Sequence, residues 1–185
     1  MKSLSGKLLE TITSRLVAEF QPEPLNSTFS AKCEPRWNTR SPNTARYCMN
    51  EPKRQLVQGW LTKARRDLTS AHVLAAQVEP LLDTAVYHCQ QAGEKAVKAF
   101  LTFHDCEFER IHDVERLVRL AMPYEGRFAE FVGSARLLTP YATFFRYPGI
   151  TIEPTESEFA QAILAATDIY KFVLSLLPVD VLPEI

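Results

Sequence analysis

From Pro52 to Leu177 apolar residues recur every three or four positions and nowhere alternate as a strand would, so the chain is constrained to build its core from helices. Prolines and polar turns cut this pattern into pieces. Leu56, Trp60, Leu61, Ala64, Leu68 and Ala71 place a first helix at about 53–78, closed by Glu79 and Pro80. Ala85, Cys89, Ala92, Ala96, Ala99 and Phe103 line a second from Leu81 to His104, with alanines that let neighbouring backbones come close. A turn at Asp105–Arg110 leads to a shorter helix, His112–Met122, stopped by Pro123. Phe128, Val132, Ala135, Leu138, Ala142 and Phe145 mark a fourth. Pro140 removes a backbone donor and bends it, with Thr139 free to cap the restarted turn. Thr155 and Glu158 form a capping box that opens the last long helix, about 155–177, which Pro178 ends. The fold predicted is all-α, an antiparallel four-helix bundle with one additional short helix.

The first fifty residues differ in kind. Leu8, Leu9, Ile12, Leu16 and Phe20 predict an amphipathic helix from Gly6 to Phe20, ended by Pro22 and Pro24. From Leu25 to Asn50 no period survives, and this stretch reads as a disordered linker. Residues 1–48 carry seven Lys/Arg against four Glu, a net +3, which leaves 14 against 18, or −4, for the remainder. The expected organisation is therefore 1–50 as helix plus linker, 51–178 as the main domain and 179–185 as a C-terminal tail.

The net charge of −1 argues against a protein that coats duplex nucleic acid through one large basic face. No uninterrupted apolar run reaches the ~18 residues of a membrane span, and no signal core opens the chain, so a cytoplasmic protein with no membrane partner is expected. Cys33, Cys48, Cys89 and Cys106 form no C-x-x-C pair, so no metal site and no cofactor is expected. Cys89 reads as a small buried thiol. With six glycines there is also no place for a nucleotide loop of P-loop or Rossmann type.

The densest polar constellation is on the second helix. His88, Gln91, Lys95 and Lys98 follow at spacings of three, four and three, one continuous stripe. Lysine supplies charge, glutamine an amide and histidine a switchable imidazole, a set suited to a phosphate or a base edge. The same residues also suit a solvated face with Glu94 and Lys98 as an i,i+4 pair. His112-Asp113 opens the short helix, either as its cap or as an acid–base pair. Arg146 stands at a helix end, where a guanidinium serves the last carbonyls or a phosphate.

The segments ARRDL at 64–68, AVYHCQQAGEKAVKAFL at 85–101, HDVERL at 112–117 and LLTPYATFFRYPG at 137–149 resemble the HEPN domain of prokaryotes. The resemblance covers about 52–177 and implies a helical bundle that commonly dimerises. It also implies a partner, a minimal nucleotidyltransferase, in a module of toxin–antitoxin type. Many members are metal-independent ribonucleases whose motif is an Arg and a His with four to six residues between them. Here Thr151, Ile152 and Glu153 stand where that His would be, and none occurs downstream. Arg66 and His72 have the spacing but lie within the first helix. The resemblance thus implies binding of nucleotide or single-stranded RNA through His88, Gln91, Lys95, Lys98 and Arg146, not cleavage. The alternatives are a ribonuclease toxin using Arg146 with His112 or His88, and a structural dimerisation module. More weakly, LLETITSRLVAEFQPEPL at 8–25 resembles the opening helix of a minimal nucleotidyltransferase. No Gly lies between Gly6 and Gly59 and no Asp before Asp67, so that enzyme's turn and carboxylates are missing and the segment reads as a remnant.

Overall fold

The structure, a computed structural model, describes residues 50–109, 111–145 and 153–183. The predicted helix at 6–20 and the linker after it lie outside the described residues. The elements are α1 (Glu51–Ala75), α2 (Leu82–Phe103), α3 (Val114–Ala121), α4 (Val132–Leu138) and α5 (Glu156–Leu176), with 3-10 turns at Gly126–Phe131, Thr139–Ala142 and Val179–Val181. Among the described residues there is no strand.

Local chemistry fixes the ends. The Asn50 side chain accepts from the Lys53 amide at 3.1 Å with Pro52 in the first turn of α1, and Asp113 accepts from the Arg116 amide at 2.9 Å to start α3. The Thr155–Glu158 capping box forms in both directions, Glu158 N to the Thr155 hydroxyl at 3.2 Å and Thr155 N to the Glu158 carboxylate at 2.7 Å. Asp105, just past α2, takes a positive φ of 54°, a left-handed turn that lets the chain leave the helix abruptly.

Helix direction follows from contacts at the two ends. The Leu81 amide donates to the Leu74 carbonyl at 3.2 Å, and Lys53 Nζ reaches Asp105 Oδ2 at 2.6 Å, so α1 and α2 are an antiparallel hairpin. Gln58 Nε2 donates to the Asp180 carbonyl at 3.2 Å and Arg54 pairs with the Asp180 carboxylate at 3.4 Å. This puts the end of α5 beside the start of α1, so α5 runs with α2. Between them the chain returns the other way, with Phe128 on Phe100 and Leu138 against Gly93.

The fourth helix is where expectation and structure part. In place of one helix bent at Pro140, a 3-10 turn, a seven-residue α4 and a second 3-10 turn follow one another. Thr139 does not cap a restarted turn. Its hydroxyl donates to the Ala135 carbonyl at 2.9 Å and accepts the Glu115 amide at 3.2 Å, so it ties α4 to the first turn of α3. Because this limb is short, α2 packs directly on α5 as well as on α1. A β-carbon at Gly93 would sit 3.0 Å from Leu138 Cδ1, and it is the missing side chain that admits Leu138 and Ile169 so closely. The core is completed by Phe100, Phe128 and Phe172, with ring centroids 4.8 and 5.0 Å apart.

The alanines of α2, Ala85, Ala92, Ala96 and Ala99, are buried within the chain, where they let neighbouring helices come close. Beyond Pro178, Val181 is buried and Asp180 holds α1. Helix α5 is long and apolar enough by composition to cross a membrane, but its Ala162, Ala166, Ile169 and Val173 are buried in the core.

Candidate functional site

The polar stripe of α2 is organised around two carboxylates. Asp67, from the middle of α1, holds the first group: Oδ1 is 2.9 Å from His88 Nδ1, and Oδ2 takes the ammonium of Lys95. Glu94, on α2 itself, holds the second: Lys98 Nζ donates to Oε1 at 2.7 Å, His112 Nδ1 lies 3.2 Å from Oε2, and Gln90 Nε2 donates to Oε2 at 2.9 Å. Gln90 also donates to the His112 carbonyl at 2.9 Å, Lys98 donates to the Ile111 carbonyl at 3.2 Å, and Gln91 donates to the Gln90 side-chain oxygen at 2.9 Å. The second group therefore fastens the loop before α3 onto α2.

The reason for this arrangement is in the helix register. Val57, Leu61, Ala64 and Ala71 form the buried stripe of α1, and Asp67 falls in step with them, three residues after Ala64 and four before Ala71. Val86, Val97 and Leu101 do the same on α2, with Gln90 and Glu94 between them. A carboxylate in a core register needs a charged partner, because burying it alone is far costlier than pairing it. The lysines supply that charge. Lys98 is buried, its ammonium 5.7 Å from the centroids of both Trp60 and Phe108.

Of the residues predicted for the site, His88 and Lys95 thus meet on Asp67, Lys98 and Gln91 join the Glu94 group, and Arg146 lies outside the described residues. The Glu94–Lys98 pair exists but is buried, not solvated. His112 does not use Asp113, which caps α3; it uses Glu94. Sequence reasoning missed Asp67 and Gln90 altogether, although an acid in step with core residues was a readable signal. Against an ionised carboxylate Nδ1 of each histidine can only donate, which leaves Nε2 as the acceptor of a neutral ring. Among the described residues no hydrogen bond to either Nε2 is present.

Neither nearby nucleophile is activated. Burial pushes the Cys89 thiol up to about 12, so it stays protonated near neutrality, as expected of a small core residue. Tyr141 is likewise raised to about 12, by burial first and then by Glu158. Among the described residues no group of three or more His, Cys, Asp or Glu could hold a metal ion.

Comparison with known proteins agrees with this architecture. The crystal structure of an archaeal HEPN homologue is similar, with a TM-score of 0.53 and 28% identity over 65% of this chain and 96% of that one. A comparison with curated proteins gives no significant match. The family model of the HEPN domain matches residues 57–176, from the first buried residue of α1 to the end of α5. Both carboxylates, and the loop that the Glu94 group fastens, fall inside that match, so the chain belongs to the HEPN domain family.

Proposed function

We propose that this HEPN domain binds nucleotide or single-stranded RNA along the polar edge of α2 through His88, Gln91 and Lys95, together with Arg146, with Lys98 acting from its buried pair with Glu94 and not by direct contact, and does not cut it efficiently. The observation that carries the reading is the pair of imidazoles, each anchored through Nδ1 on a carboxylate. His88 and Glu94 are six residues apart, about 9 Å along a helix axis and about 120° around it. An acid and a base acting on one phosphodiester must both reach the same phosphoryl group within hydrogen-bond range, and a separation of that order disfavours it. Two neighbouring contacts along a strand suit it better. The proposal extends to a cytoplasmic homodimer acting with a minimal nucleotidyltransferase in a module of toxin–antitoxin type.

Titration of labelled oligonucleotide against wild type and against the Lys95→Ala/Arg146→Ala double variant tests the site. Binding should weaken at least tenfold in the variant and fall with salt, as phosphate contacts do. Equal binding by both proteins removes the site.

One observation favours the ribonuclease reading: His112 is exposed and oriented by a buried glutamate, the arrangement of a general base. Metal-independent cleavage abolished by His112→Ala or Arg146→Ala would establish it.

A further inference from the structure

The side-chain amides of Gln90 and Gln91 form a chain of hydrogen bonds that can be written in one direction only. Both N–H bonds of Gln90 are spent, one on the Glu94 carboxylate at 2.9 Å and one on the His112 carbonyl at 2.9 Å. A carboxylate paired with Lys98 and a backbone carbonyl only accept, so the Gln90 amide cannot be turned over. Its oxygen is thereby fixed as the acceptor for Gln91 Nε2, at 2.9 Å. Gln91 cannot be turned over either, because that would set two carbonyl oxygens against each other. Gln90 is fully buried and Gln91 is 9% exposed, so the chain leads from the core to the surface and ends on Gln91 Oε1. That oxygen accepts no hydrogen bond among the described residues. The side-chain atom sealed from water without a partner among them is Arg54 Nε, so Gln91 Oε1 is open to solvent.

His88, Gln91 and Lys95 follow at spacings of three and four and share one face of α2, so this oxygen stands between the two residues that Asp67 holds. An amide oxygen locked in this way differs from a hydroxyl, which donates or accepts as its partner demands. It only accepts, so it is satisfied by a ligand group that donates and left unpaired by one that cannot, which is how a polar site discriminates. The edges of nucleic-acid bases present that choice, since an exocyclic amine donates and a keto oxygen does not. We propose that Gln91 is a specificity residue of the α2 edge and takes the exocyclic amine of a nucleotide base on Oε1, with Gln90, Glu94 and the His112 carbonyl behind it as positioning groups. This rests on the binding reading above and names the part of the ligand that the site reads.

The test uses the full chain and compares adenosine with purine riboside, which lacks only the amine, each as the 5′-monophosphate and as a short oligonucleotide. Wild type should prefer the adenosine ligand about three- to tenfold, the worth of one neutral hydrogen bond, in whichever form binds. This comparison needs no variant. In Gln91→Leu, which has no polar side-chain atom, the preference should disappear, with folding checked by circular dichroism and thermal melting. In Gln90→Met the Gln91 amide loses the oxygen that fixes it and is free to turn over, so the preference should shrink there too. Equal binding of the two ligands by wild type overturns the assignment and leaves the binding reading standing. Absence of binding in every form overturns both. A preference that survives in Gln91→Leu puts the amine on another residue and overturns the assignment, as does loss of both ligands by the folded variant, which would make Gln91 a general anchor. A Gln91-dependent preference for adenosine over 2′-deoxyadenosine, with none over purine riboside, would place a ribose hydroxyl on the oxygen and overturn it as well.

Discussion

The two carboxylate groups contain the same three chemistries, an acid, a lysine and a histidine, and are built in opposite ways. Glu94 and Lys98 sit one turn apart on α2, with side chains 4% and 8% exposed, and their histidine comes from a loop and is 68% exposed. Asp67 comes from α1 and both its partners from α2, with Asp67 12%, Lys95 19% and His88 26% exposed. One group is a deep local pair that pins a loop. The other is a shallower clasp between two helices. Identical residue types therefore make different demands on stability: water can help Lys95 if its partner is removed, and can scarcely reach Lys98.

The sharpest way to break this contrast is Glu94→Ala, which strands the Lys98 ammonium between Trp60 and Phe108 and should cost about 3–5 kcal/mol in urea unfolding. A loss below about 1 kcal/mol would mean that Lys98 reaches solvent and the two groups are alike. Asp67→Ala should cost less, about 1–3 kcal/mol, because its partners can rehydrate. If Asp67→Ala proved the more damaging, burial would not be what separates them. Thr155→Ala, which removes the cap of α5 far from either group, should cost about 1 kcal/mol. It should add to Asp67→Ala within about 0.5 kcal/mol in the double variant, as independent sites do.

The smallest effect sharpens the contrast with a third histidine. His104 is packed between Phe100 and Tyr124, with centroids 4.4 and 4.9 Å away, and its pKa is lowered, by burial first and then by Lys53, against a smaller upward pull from Asp105. A depressed imidazole binds fewer protons folded than unfolded, so its contribution is fully present above the unfolded value, about 6.5. It is lost as pH falls through the folded value. Melting temperature in this acid range should therefore fall less steeply in His104→Gln than in wild type. An unchanged slope would show that His104 does not titrate with unfolding.

Much of the fold was legible because each boundary has a local cause that a sequence displays: the Thr155–Glu158 box, Asp113 before Val114, Pro52 in the first turn. The broken fourth helix was less so. Its 3-10 turns follow from how Thr139 and Leu138 meet α3 and Gly93, contacts between segments distant in sequence. The same holds for the site. The stripe from His88 to Lys98 could be read from spacing on one helix. Its pairing with Asp67 could not, since that needs the facing helix in register, and only the position of an acid among core residues hinted at it.

The central place of α2 also implies an order of events in time. Its contact with α1 closes across the short turn between Ala75 and Leu82, while Gly93 meets Ile169 only after α3, α4 and both intervening turns have been traversed. Closing the shorter loop loses less chain entropy, so the α1–α2 hairpin is the natural nucleus and α5 the last helix to dock. The Asp67 clasp belongs to that early hairpin. This edge of the protein is thus assembled before the far side of the core is covered.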